Sequence, residues 1–147
     1  MDNGRLTRMV GGIGEAITRR QAEVAEIEQE LAALEGITCV GREWWRDRDH
    51  PTKKAKMYVN HSIDQVCPLH GEPEPGGRLR VYVGSDPDAI VEAREAMARE
   101  VHRVALALRL RRVEGALGNC RWTLNRLYSD LGYNVGTDGV VVSRWWW

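Results

Sequence analysis

A cysteine and a histidine three positions apart have the spacing in this chain most suited to metal chemistry. Cys67 and His70 lie in the pentapeptide CPLHG, where proline and glycine favour a tight turn. This turn resembles half of a zinc knuckle, but a structural zinc site needs four ligands, and a second Cys-x-x-Cys or Cys-x-x-His pair is missing. His61, His50 or Cys39 would complete the set only if the loops folded toward one another.

The alternative is a buried cysteine in a turn beside an exposed histidine, which is the more common arrangement. We therefore predict no cofactor and keep zinc, bound at Cys67 and His70, as the alternative. No enzyme signature is found. GGIGEA at 11–16 lacks the preceding strand and the following Gly-Lys-Ser/Thr of a phosphate loop, which indicates a flexible lead into a helix. We expect ion pairs in the charged loop around His50 and a buried thiol at Cys120, so the protein is predicted not to be an enzyme.

The composition is that of one ordinary soluble domain. The chain has 147 residues, 43% hydrophobic and 29% charged, with six tryptophans and no phenylalanine. Its three cysteines are odd in number and unevenly spaced, which fits a reducing compartment better than a disulfide framework. No apolar run is long enough to span a bilayer, and the N-terminus lacks the apolar core of a signal peptide. We expect a cytoplasmic protein without a membrane partner.

The elements that would position these residues follow from periodicity. Apolar residues at coiled-coil spacing predict a helix over 13–35, and a capped start near Pro87 predicts a long helix over 86–117. Three strands within 37–83 predict an antiparallel β-meander, since consecutive strands usually pair. A stop at Gly118 and Asn119 predicts a separate helix over 120–131, followed by a turn and strand in the tail, 132–147. The predicted fold is α+β: two long antiparallel helices joined through a small sheet, with a short C-terminal helix and strand, all in one domain.

The alternation within the strands predicts a two-faced sheet. The apolar set faces the core and comprises Met57, Val59, Leu79, Val81 and Val83. The other set mixes cations with aromatic rings and comprises Lys56, Tyr58, Asn60, Arg78, Arg80 and Tyr82. Arg42 and Trp44 join it if Val40 does not point inward. Cations bind phosphates and rings stack on bases, so this face suits a single strand of nucleic acid; the alternative is a solvated face.

The net charge is zero, since 21 basic residues balance 21 acidic ones, but the arginines are unevenly placed. If the two long helices pack antiparallel, their far end collects Arg19, Arg20, Arg109, Arg111 and Arg112, with Arg5, Arg8, Arg121 and Arg126 from flanking segments. We expect only Glu15 and Glu114 nearby. A guanidinium group can pair with two oxygens at once, so this end of the helices, which we call the arginine pole, could bind nucleic acid or an acidic protein surface. Alternatively, these arginines pair with acids of a neighbouring protomer or keep the end soluble.

The chain ends in three tryptophans, Trp145, Trp146 and Trp147, which cannot all point into one small core. At least one is expected at a protein interface, because tryptophan is enriched among residues that dominate interfaces.

The segment YVNHSIDQVCPLHGEPEPGGRLRVYVG and the helix after it resemble uncharacterised phage, plasmid and transposon proteins that join a β-hairpin to a coiled-coil helix. The resemblance covers residues 57–110 and implies a mobile-element context, and with it nucleic acid, but no activity. Such proteins often carry paired cysteines in the hairpin, which are absent here.

Two functions are consistent with these patterns. The first is a non-enzymatic accessory protein that binds nucleic acid or a nucleoprotein partner through the arginine-rich helical end and the basic, aromatic sheet face. The second is a structural or assembly subunit, for example of a phage particle, that uses the helix seam, the apolar stripe of the 13–35 helix, and the tryptophan tail, and that would be virion-associated. Under either interpretation we expect a protein partner or a homo-oligomer, with nucleic acid or a nucleoprotein as a further partner.

Overall fold

The computed structural model describes residues 3–62, 64–73, 79–130, 133–135 and 141–143. In chain order, the elements are α1 (Asn3–Ala33), β1 (Arg42–Arg46), β2 (Lys56–Asn60), β3 (Arg80–Gly84), α2 (Pro87–Asp130), β4 (Tyr133–Val135) and β5 (Val141–Ser143). Two helices and a three-stranded antiparallel sheet make this an α+β arrangement. The chain divides into two compact units, one formed by residues 1–29 with 108–147 and the other by residues 30–107.

Helix α1 begins ten residues earlier than the periodicity from 13 onward indicates. The glycine-rich segment at 11–16, expected to be a flexible lead, lies inside the helix. Leu6 and Val10 extend the spacing of three and four residues back from Ile13, and all three are partly buried. An apolar stripe that continues across the glycines offsets their cost of about 1 kcal/mol each relative to alanine.

The predicted fold is wrong in its C-terminal part. Helix α2 runs unbroken for 44 residues through Gly118 and Asn119, so the separate helix over 120–131 does not exist. The buried residues Val113 and Leu117 lie on a stripe that Leu124 continues beyond the glycine, which explains why one glycine does not end the helix. Instead of one C-terminal strand, the three-residue segments β4 and β5 pair with each other in antiparallel fashion. Trp145, Trp146 and Trp147 lie outside the described residues.

The three-stranded sheet has the order β1-β2-β3, with both pairs antiparallel. The first strand begins at Arg42 and not at 37, the start of the predicted meander, because the chain before Arg42 contacts α2 rather than another strand. The Cys39 amide donates to the Ala96 carbonyl at 3.0 Å, and Arg99 donates to the Ile37 carbonyl at 2.9 Å. The segment between α1 and β1 is therefore fixed along the second helix.

The core of the sheet-containing unit lies between the inner sheet face and the N-terminal part of α2. Met57 and Val59 of β2 are fully buried, as the alternation predicts. Partly buried side chains that pack against this core are Trp45, Val83, Ile90, Ala93 and Met97. Two cysteines, Cys39 and Cys67, belong to the same core. Among the described residues, no helix is both long and apolar enough to cross a membrane.

Candidate functional site

Two cysteines and two histidines converge at one edge of this core. Cys39 comes from the segment between α1 and β1, His61 directly follows β2, and Cys67 and His70 lie in the connection to β3. One potential ligand atom from each residue lies within 4.8 Å of all the others. Three of the residues are buried and His70 is partly buried, so the side chains form a cluster shielded from solvent.

A tight turn brings Cys67 and His70 together, as the sequence suggests. The Gly71 amide donates to the Cys67 carbonyl at 2.7 Å, and the Cys67 amide donates back to the Gly71 carbonyl at 3.2 Å. Gly71 has φ of 85°, a left-handed conformation that glycine adopts without a steric penalty. The closed turn holds His70 Nδ1 at 3.5 Å from Cys67 Sγ.

His61 is oriented by Leu79, the residue directly before β3. Its amide donates to the Leu79 carbonyl at 2.8 Å, and its Nδ1 lies 3.2 Å from the same oxygen. A carbonyl can only accept, so Nδ1 carries the proton and the lone pair of Nε2 points into the cluster. In a histidine that ligates a metal, the ring nitrogen that does not bind the metal typically donates a hydrogen bond like this one, which orients the ring. His61 Nε2 lies 3.4 Å from Cys39 Sγ.

Cys39 completes the cluster from the opposite side, held by its backbone bond to α2. The chain passes close to the sheet here because Gly41 has no side chain. A Cβ at this position would overlap the Val59 side chain and lie 3.2 Å from His61 Nε2. The absence of a side chain at Gly41 thus lets Cys39 approach His61 and His70.

Four of the six distances among the ligand atoms are close to those of tetrahedral coordination, and the other two are no more than 4.8 Å. Ligands bound tetrahedrally to zinc, with Zn–S of about 2.3 Å and Zn–N of about 2.0–2.1 Å, lie roughly 3.3–3.8 Å from one another. Cys39 Sγ lies 3.4 Å from His61 Nε2 and 3.5 Å from His70 Nδ1, and the two histidine nitrogens are 3.1 Å apart. His70 Nδ1 lies 3.5 Å from each of the two sulfurs and 3.1 Å from His61 Nε2, so one cation at the centre could contact all four atoms.

Burial disfavours charge within the cluster. Desolvation, followed by the neighbouring Cys67, raises the pKa of the Cys39 thiol to about 12. Burial and then the proximity of His61 lower the pKa of His70. A neutral thiol beside a neutral imidazole is the stable state without a cation. A bound cation reverses this preference, because it stabilises the thiolate that coordinates it.

The remaining candidates for chemistry lie elsewhere. The His50 ring accepts the Lys53 amide at 2.9 Å within its own exposed loop. His102 is exposed on α2, and Cys120 is partly buried on the same helix. None of the three belongs to the cluster.

The outer face of the sheet carries the cations and rings that the alternation predicts. Trp44 of β1 pairs with Tyr58 of β2, which pairs with Tyr82 of β3. The pairing with Tyr58 places Trp44 on this face. Lys56 and Arg80 lie on the same face and are exposed, whereas Arg78 lies outside the described residues.

The arginine pole has a partner that the sequence analysis did not place there. Glu23 of α1 accepts from Arg109 Nη2 at 2.9 Å and from Arg20 Nη1 at 3.4 Å. The bond to Arg109 is the main reason that the pKa of Glu23 is lowered. Arg19, Arg111 and Arg112 are exposed. The expectation that only Glu15 and Glu114 lie near these arginines is therefore wrong, since Glu23 binds two of them.

Comparison of the chain with protein-family models, with curated proteins and with solved structures found no match.

Proposed function

We propose that this chain is a zinc-binding protein in which Cys39, His61, Cys67 and His70 hold one structural Zn²⁺. The observation that carries the proposal is the convergence of four ligand atoms, all within 4.8 Å of one another, from three separate segments of the chain. The experiment is a metal analysis of the purified protein and of matched cysteine and histidine variants.

Zinc is the metal that this donor set fits. Thiolate and imidazole are the ligands of structural zinc sites, and two of each make one of the common combinations. Calcium and magnesium prefer oxygen ligands in larger or octahedral shells, and no carboxylate belongs to the four-residue cluster.

The site suits a structural role better than a catalytic one. A catalytic zinc keeps an open position for water or substrate, usually beside three protein ligands. Here four protein ligands would fill a tetrahedral shell. Cys39 and His70 do border a groove between the sheet and α2, but a metal already bound by four side chains has no position to offer a molecule in that groove.

A metal at this position would cross-link three segments of the chain. It would tie the segment before β1 to the end of β2 and to the turn at 67–71. Binding free energies of structural zinc are about 10–16 kcal/mol in small zinc-finger peptides near pH 7, and they contribute directly to folding. The metal would thus stabilise a unit whose own apolar core is small.

We predict about one zinc per chain in the purified protein, measured by mass spectrometry of the metal, and loss of most of it in Cys39→Ser and His61→Ala. Each variant removes one of four ligands and leaves a weaker site. The chain offers matched controls in Cys120→Ser and His102→Ala, which change the same residue types outside the cluster and should retain the metal.

Cobalt provides a test that does not require a ligand variant to fold. Added to metal-free wild-type protein, Co²⁺ should produce the intense visible bands of a tetrahedral site and a thiolate-to-cobalt charge-transfer band. Purified protein without metal, together with a cobalt spectrum lacking these bands, would overturn the proposal, as would equal zinc in Cys39→Ser and Cys120→Ser.

A further inference from the structure

The outer face of the three-stranded sheet is a second candidate site, independent of the metal centre. We propose that it binds single-stranded nucleic acid, with bases stacked on its central row of rings and phosphates paired with the cations on either side. This goes beyond the zinc proposal, and it places the predicted nucleic-acid binding on the sheet rather than on the arginine pole.

The rings form a continuous row across all three strands. The Trp44 and Tyr58 ring centroids are 5.4 Å apart, and those of Tyr58 and Tyr82 are 5.2 Å apart, both in edge-on geometry. Tyr82, at the end of the row, is 59% exposed, so its ring is accessible from solvent. The row thus offers exposed aromatic surface along a line that crosses the strands.

Basic residues flank this row on both sides. The register places Arg42 and Arg80 opposite Asn60 on one side, and pairs Arg46 with Lys56 on the other. The face therefore presents four cations, and none of its strand residues is acidic. Phosphates on both sides of a stacked base would meet positive charge.

No carboxylate of the three strands forms an ion pair with the cations of this face. Arg80 donates from Nε to the Asn60 side-chain oxygen at 2.9 Å, and its guanidinium lies 4.3 Å from the Trp44 ring centroid. Both contacts orient the guanidinium without neutralising it, since neither Asn60 nor Trp44 carries a charge. Glu43, the acidic residue of β1, pairs with Arg94 of α2 and lies on the opposite side of the sheet.

This arrangement favours a single strand over a duplex. In a duplex the bases stack on each other and offer no face to an external ring, whereas unpaired bases can stack on aromatic side chains. A purely acidic polypeptide would use the cations but gain nothing from the rings. The combination of both features in adjacent rows thus points to bases and phosphates together.

The test is fluorescence anisotropy of a labelled 12-nucleotide single-stranded oligonucleotide with full-length protein over a range of salt concentrations. We expect Tyr82→Ala to weaken binding roughly 5- to 150-fold, the value of one base-stacking contact. The logarithm of the association constant should fall with log salt at a slope of roughly −3 if four phosphates are neutralised, and Arg80→Gln should reduce the slope by about 0.7.

Helix α2 provides matched controls. Trp122 is 62% exposed, and the Arg126 guanidinium lies 5.4 Å from its ring centroid, so this pair resembles Trp44 and Arg80 in chemistry but not in location. Trp122→Ala and Arg126→Gln should bind the oligonucleotide like wild type. Charge reversal at Arg111 and Arg112, in the arginine pole, should likewise leave oligonucleotide binding unchanged if the sheet face is the binding site.

Several results would overturn the inference. They are absence of single-strand binding, equal affinity for a duplex of the same sequence, equal competition by polyglutamate, and a Tyr82→Ala variant no weaker than Trp122→Ala. Loss of binding only in the Arg111 and Arg112 variant would also contradict it. Zinc content and the cobalt spectrum are measured on the same preparation. Metal-free protein that lacks the cobalt bands but still binds through Tyr82 would refute the zinc proposal alone, and zinc-loaded protein that does not bind the oligonucleotide would refute only this one.

Discussion

Gly41 is the residue whose size most constrains the metal centre. Its Cα faces Val59 and the ligating edge of His61, and no space remains for a methyl group. Evidence for this requirement is absent from the sequence, where the glycine between Val40 and Arg42 has no turn motif around it. Only the packing of the segment before β1 against β2 explains it.

We predict that Gly41→Ala lowers the free energy of unfolding by about 1–3 kcal/mol, the usual cost of overpacking a well-filled core, and also weakens zinc binding. Urea unfolding and a competitive zinc titration measure the two effects. The control is Gly115→Ala in α2, where a Cβ meets nothing within 4 Å and alanine favours the helix. If Gly41→Ala were as stable as wild type and bound zinc equally well, the proposed close packing at His61 would be wrong.

The four ligands show which part of the metal site can be predicted from the sequence. The spacing of Cys67 and His70 was sufficient to nominate them, because a Cys-x-x-His turn is a local motif. Cys39 and His61 lie 22 residues apart and belong to no such motif. Sequence reasoning could only name them as conditional partners, since their contact depends on how β2 and α2 position two unrelated segments.

At the level of elements, the connection between β2 and β3 is the part of the fold that depends most on a metal. Within its described residues, 61–62, 64–73 and 79, regular pairing is limited to the bridge between Cys67 and Gly71. Its first residue, His61, bonds through its backbone to its last, Leu79. The metal would fix the middle of the connection while the strands fix its ends.

We therefore predict that chelation of zinc increases amide hydrogen exchange in the connection and in β2 and β3 but not in the C-terminal half of α2. The amide of Gly71, bonded to the Cys67 carbonyl, is the most direct probe. Mass spectrometry of peptides from both regions measures this in one sample, with residues 110–130 as the internal control because no ligand lies there. Unchanged exchange around Gly71 after verified zinc loss would show that the metal does not support this element.

The long helices illustrate a different limit. The apolar stripe of α2 continues past Gly118 and Asn119, although this pair is a local helix-stop signal. Helix breakers are weak signals when the apolar face on both sides continues in register. The same holds for α1, where the glycines of 11–16 are helical. The three strands were easier to locate, because their alternation extends over several residues and charged loops separate them.

For the whole molecule, the neutral net charge conceals uneven local charge. In the unit formed by residues 30–107, the basic sheet face has no ion pair among the described residues, whereas in the other unit Glu23 binds Arg20 and Arg109 of the arginine pole. Electrostatic attraction for a polyanion therefore favours the sheet face. Assembly through the helix seam or through Trp145, Trp146 and Trp147, the alternative function, stays a prediction.

X-ray absorption at the zinc edge of the purified wild-type protein tests the central claim most directly, because it reports the atoms bound to the metal. The account predicts two sulfur ligands at about 2.3 Å and two imidazole nitrogens at about 2.0–2.1 Å, with no open water position. A shell made only of nitrogen and oxygen, or one with fewer than two sulfurs, would contradict assignment of the metal to Cys39, His61, Cys67 and His70.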